Sequence, residues 1–122
     1  MILYYAHAMP IYGTLAEKHE LTHIRCNFPR VRIVNPAKYQ NHPEKRRDKM
    51  GFCLRLVEAS DALVFSRYRG KVTAGVGKEV NHALRVGLPV FELKGKRLQR
   101  QRKRVRHLSL DETLRMYYGW PS

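Results

Sequence analysis

Apolar positions in this chain of 122 residues gather into short continuous runs separated by longer stretches with helical spacing. Residues 2–6, 31–34, 61–66 and 88–93 are runs of four to six residues, mostly Ile, Leu, Val, Phe and Tyr, bounded by turn formers, and they read as strands. Thr14 followed by Glu17 predicts a capping box that opens a helix lasting to about Cys26, ahead of Pro29. Asn35 and Pro36 stop the second strand. Pro43 predicts the start of one helix running through Asp48 to Ser60, with Met50, Cys53, Leu54 and Val57 as its core stripe. A third helix opens near Gly75 and runs to about Gly87, presenting Val76, Val80, Ala83 and Leu84. Ser109 and Glu112 form a second capping box, which predicts a terminal helix with Leu110, Leu114 and Tyr117 turned inward.

Strands and helices that alternate, with strands apolar throughout rather than at every second residue, predict a parallel sheet covered on both sides. The fold class expected is α/β, a single-domain three-layer sandwich with a mostly parallel, flavodoxin- or Rossmann-like sheet of four to five strands. One domain spans residues 1–122, because a chain of this length builds one core and not two. Residues 94–106 hold eight Lys or Arg. Residues 105–108 then offer a fifth strand, and the interval before it is barely long enough for a parallel crossover, so an edge strand of the other direction is also open.

Charge changes the picture more than size does. The formal net charge is +14, which attracts nucleic acid, free nucleotides and other anions and carries no information about fold. The basic segment lacks interleaved aromatic residues, which disfavours a base-stacking reader of single strands and leaves attraction to a phosphate backbone. No apolar run approaches a membrane span, and the first residues lack the basic start and cleavage site of a signal peptide, so no membrane partner and a cytoplasmic location are expected. Two cysteines without close spacing, Cys26 and Cys53, suggest neither a disulfide framework nor a zinc site. His19, Glu20 and His23 match the letters of a His-Glu-x-x-His motif. They sit on a short, weakly amphipathic helix without an evident third ligand, so a polar helix face accounts for them and no metal or other cofactor is expected.

The most informative stretch is Gly75-Val76-Gly77-Lys78-Glu79, which follows the strand at 61–66 and puts a carboxylate near the start of a helix at the carboxyl edge of the sheet, where ligands bind in open α/β folds. Glycines there allow close backbone approach, and unpaired helix N–H groups face any anion held there. A helix start that favours acids is the plainer explanation of the same letters. Together with Asp61-Ala-Leu-Val-Phe, Ala83-Leu84 and Gly87-Leu-Pro-Val-Phe91, the stretch resembles the nucleoside 2-deoxyribosyltransferase family, including its branch of 2′-deoxynucleoside 5′-phosphate N-hydrolases. Residues 2–6 look like that family's first strand with its tyrosine. The resemblance covers about two thirds of the chain, and only the Gly-x-Gly-x-Glu segment is specific.

The resemblance implies a glutamate nucleophile at Glu79, attacking the anomeric carbon of a nucleoside, and an orienting tyrosine at Tyr4, with Tyr5 as the other candidate. It also implies an oligomer. Two positions depart from the pattern. Where the family carries an acid eight residues before the strand aspartate, this chain has Cys53; Asp48, five residues earlier, replaces it only if the helix starts differently or bends, and a solvated helix-start residue is the competing reading. Six residues before the nucleophile stands Thr73, where the nucleotide-hydrolase branch has a phosphate-contacting serine. Thr73, Arg69, Lys71 and the amides near Gly75 and Gly77 then suggest a 5′-phosphate cradle, against the alternative of a basic surface loop. His7 and Tyr12, in the loop after the first strand, are candidate contacts to sugar or base. The expected function is an enzyme that cleaves or exchanges the N-glycosidic bond of a nucleoside or nucleoside 5′-monophosphate. The alternative is a non-catalytic module on the same sheet that binds nucleotide or nucleic acid.

Overall fold

The computed structural model describes residues 1–119. Its centre is a five-stranded sheet in the order β2-β1-β3-β4-β5, formed by β1 (Ile2–Ala6), β2 (Arg32–Val34), β3 (Ala62–Phe65), β4 (Val90–Lys94) and β5 (Arg97–Gln101). β1 pairs in parallel with β2 and β3, and β3 with β4; β5 returns antiparallel to β4. The helices are α1 (Leu15–Asn27), α2 (Pro43–Arg47), α3 (Lys49–Glu58), α4 (Ala74–Arg85) and α5 (Leu110–Tyr118). This is the α/β sandwich the alternating pattern predicts.

Alternate side chains of β1 serve opposite layers, as the pleat requires. Leu3 and Tyr5 pack with Ile24, Val64 and Leu93 on the α1 side. Tyr4 and Ala6 pack with Val57, Leu63, Phe65, Val76 and Val80 on the side of α3 and α4. All four β1 residues are fully buried, so this strand holds the two half-cores together. Because the chain leaves β1 towards β2 on one side and reaches β3 on the other, the connections after β1 and β3 diverge at the carboxyl edge. That divergence is the switch point at which open α/β sheets bind ligands.

Four local expectations need correction. The helix expected from Pro43 to Ser60 breaks at Asp48, whose extended backbone (φ −147°, ψ 82°) ends α2 while its carboxylate caps α3 at the Gly51 N–H. The fifth strand lies at Arg97–Gln101 rather than at 105–108: Gly95, with φ +61°, turns the chain straight back onto β4. Residues 105–108 instead run as an extended strap, Val105 exchanging two hydrogen bonds with the Asn81 side chain (2.8 and 3.1 Å) and Leu108 N–H donating to the Val72 carbonyl. At α5 the Ser109–Glu112 capping box is complete, yet Leu110 is exposed and Thr113 is the residue that turns inward. The first capping box is half made, since Thr14 accepts from Glu17 N–H while the Glu17 carboxylate goes to Gly13 N–H and to His7. Among the described residues, no helix is long and apolar enough to cross a membrane.

Candidate functional site

Glu79 lies on the sheet-facing side of α4, and only 6% of it is exposed. The Tyr4 hydroxyl donates a hydrogen bond to its Oε2, and the Cys53 thiol, from α3, lies beside the carboxylate. Three elements far apart in sequence thus meet at one carboxyl group beneath the β1/β3 switch point. Lys45 and Lys49 bring positive charge to the same place. Lys45 is itself buried, its Nζ donating to the Pro36 carbonyl at 2.9 Å and the Gln40 Oε1 at 3.4 Å and standing 5.8 Å from the centre of the Tyr12 ring.

Burial dominates the electrostatics here, because it disfavours whichever form is charged. It pushes the Glu79 carboxyl up to about 7, against the opposing pull of Tyr4, Cys53 and the two lysines. It also holds the Tyr4 phenol well above its ordinary range, reinforced by the neighbouring Glu79 charge, so Tyr4 remains a donor. Burial raises the Cys53 thiol and lowers the Lys45 ammonium. A carboxyl group that titrates near neutrality beside a fixed phenol donor is the kind of group that serves as nucleophile or proton carrier.

Tyr5 belongs to the other layer. Its hydroxyl donates to Glu20, which also accepts from Ser66 at 2.7 Å. His7 stacks on Tyr5 with ring centres 3.7 Å apart, and its Nδ1 faces the Tyr5 carbonyl and its Nε2 the Glu17 carboxylate at 2.7 Å. Burial pushes the imidazole pKa down, and a neutral ring with its proton on Nε2 donates to the Glu17 carboxylate. Tyr12 joins the two layers, its ring 4.7 Å from that of His7 and its phenol raised by burial and by Glu79. Glu20 facing inward to Tyr5 and Ser66 also explains the His-Glu-x-x-His letters: Glu20 is a buttress, and His19 is exposed.

The glycine segment differs from its sequence reading. α4 begins at Ala74, so Gly75 and Gly77 are helical rather than part of a loop, and Glu79 lies in the second turn. Gly77 answers to packing: a Cβ there would meet the His107 ring and Cβ at 2.2–2.3 Å. The expected phosphate cradle is also closed. Thr73 is fully buried, the Ala74 N–H donates to Thr113 Oγ1 at 3.0 Å, and Tyr117 of α5 hydrogen-bonds Thr73. Arg69 sits apart at the exposed tip of a tight hairpin between Tyr68 and Lys71, with φ +50°. Asp48 is exposed and occupied in capping α3.

The structure therefore brings together Glu79, Tyr4 and Tyr12, places His7 on the adjoining layer, and gives Asp48, Arg69 and Thr73 no hydrogen bond to the carboxylate among the contacts described. Sequence reasoning missed Lys45, hidden in the run Glu44-Lys-Arg-Arg-Asp48, where nothing distinguishes the buried cation from its solvated neighbours. Cys53 was legible only as a departure from a pattern. No family model, curated protein or solved structure matches the chain.

Proposed function

We propose that this protein cleaves or exchanges the N-glycosidic bond of a deoxynucleoside, with Glu79 as the nucleophile. The observation that carries the reading is the buried Tyr4–Glu79 hydrogen bond at the switch point of the sheet. A Glu79 oxygen bonds to C1′ as the C1′–N bond breaks, and the electron pair leaves on the base nitrogen, which takes up a proton. Water or a second base then attacks C1′, the ester C–O bond breaks, and the carboxylate is regenerated. Tyr4 fixes which oxygen faces the sugar. Of the two protic groups beside Glu79, Lys45 suits the departing base better, because burial lowers the pKa of its ammonium while raising that of the Cys53 thiol.

The nucleoside fits this reading better than its 5′-monophosphate, since a phosphate at the start of α4 would have to displace Thr113 from the Ala74 amide. The same contact weakens the alternative of a module that cradles phosphate in the glycine segment without chemistry. The test is incubation with purine and pyrimidine deoxynucleosides and their monophosphates, following free or exchanged base by chromatography. Release by the wild type, its loss in Glu79→Gln and no advantage for monophosphates are expected. A folded protein that frees and exchanges no base across the panel overturns the proposal.

A further inference from the structure

On the outer side of α4, away from Glu79, a cleft of about 630 Å³ opens between α3, α4 and the strap that leads to α5. Lys78, Arg85, Arg102 and Arg104 line it, with His82 and His107. None of these four cations forms an ion pair with a carboxylate among the described residues. The carboxylate of Glu58 at the α3 end is held by His82 Nε2 at 2.7 Å, and the other His82 nitrogen accepts from Arg85 at 2.8 Å. The arrangement is built rather than incidental: the Asn81–Val105 bonds tie the strap to α4, and the missing side chain at Gly77 lets His107 pack against the helix. The strap thereby carries Arg102 and Arg104 along the cleft that Lys78 also lines.

We propose that this cleft binds the phosphodiester backbone of a single nucleic-acid strand. Four cations left without carboxylate partners in one concavity concentrate positive potential that a line of phosphates would neutralise, releasing counterions. The lining holds no Phe, Tyr or Trp ring for base stacking, and His82 is held between Glu58 and Arg85, so recognition is chiefly of backbone and weakly dependent on sequence. A volume within the range of ligand pockets suits a stretch of one strand better than a duplex, which reaches only the rim. The site does not depend on Glu79 and stands whether or not base release is observed.

The test is fluorescence anisotropy of a labelled oligothymidylate and of a labelled duplex, over roughly 50 to 200 mM salt. Lys78→Gln/Arg102→Gln/Arg104→Gln is compared with a control that removes the same charge from the α1 side, Lys18→Gln/Arg25→Gln/Arg30→Gln. Loss of three phosphate contacts lowers the slope of log affinity against log salt by about 2 and the affinity at 0.1 M salt by on the order of 10²-fold. The control is expected to lose less than about tenfold, Glu79→Gln nothing, and the duplex to bind more weakly than the single strand. Equal losses in both triple variants would show that net charge alone attracts the polyanion and overturn the site, as would wild-type protein that fails to bind the oligonucleotide. Duplex binding as tight as single-strand binding overturns the choice of ligand.

Discussion

Neighbouring tyrosines on β1 each donate a hydrogen bond to a glutamate, on opposite sides of the sheet: Tyr4 to Glu79 and Tyr5 to Glu20. The two pairs look alike as letters and differ in surroundings. Glu20, half-buried on α1, accepts from two hydroxyls, those of Tyr5 and Ser66, and ties α1 to β1 and to the end of β3. Glu79 is closed off among Tyr4, Cys53 and the α4 backbone, and burial lifts its pKa to about 7. A carboxylate with enough donors is a brace. One whose burial outweighs its donors keeps a proton close to neutral pH, which costs folding free energy and makes it available for chemistry.

The sharpest test of that difference is base release from deoxynucleosides. Glu79→Ala should lower the rate on the order of 10⁴-fold or more, as loss of a nucleophile does, while Tyr5→Phe should leave the rate per folded molecule within a few-fold. A comparable loss from both would make the two pairs equivalent. In the wild type, activity should rise as pH increases through about 7, because the ionised carboxylate is the attacking form.

Stability against pH sharpens the same contrast. The folded-state pKa of Glu79 lies above the ordinary carboxyl value, so its contribution to stability is fully present at pH below about 4.5 and is lost as pH rises through about 7. Above that pH the ionised group costs about 3 kcal/mol. Glu79→Gln should therefore stabilise the protein at pH 8 by up to that amount and give little gain at pH 4, read by urea unfolding at both pH values. A pH-independent difference would break the assignment of the raised pKa to Glu79.

Smaller effects test the frame around α3 and α4. Gly77→Ala must push His107 and the strap outward and should cost about 1–3 kcal/mol. Gly75→Ala meets only the Met50 Cε at 3.9 Å and should stabilise α4 by up to about 1 kcal/mol. Thermal unfolding separates the two, and equal shifts would mean that the strap does not pack as described. Asp48→Ala, which removes the α3 cap, should cost about 1 kcal/mol and leave base release per folded molecule unchanged. A rate loss without a stability loss would return Asp48 to the chemistry.

Much of the frame was written in periodicity, and the exceptions have local causes. The runs that became β1 and β3 are apolar at every position because both sides of the sheet are covered, and such runs are visible without a partner; β4 keeps Val90, Phe91 and Leu93 around a single buried acid, Glu92. β5, Arg-Leu-Gln-Arg-Gln, has a single apolar residue; an edge strand half in water needs little more, so its pattern is that of a loop until Gly95 folds it onto β4. The break at Asp48 escaped notice because the same acid fits a charged helix interior and a cap, and only the α2–α3 geometry chooses between them.

By itself the sequence determined the α/β layering, the first four strands, the capping box of α5 and the resemblance that singled out Tyr4 and Glu79. The tertiary structure decided everything that depends on who is buried beside whom. It assigned Tyr4 to one carboxylate and Tyr5 to another, removed Lys45 from solvent, turned Gly77 into a packing contact for His107, and covered Thr73 with α5. The physical reason is that pattern and propensity are properties of a residue and its near neighbours along the chain. Desolvation, which raises the Glu79 pKa, is a property of atoms brought from positions 4, 53 and 79 into one dry space.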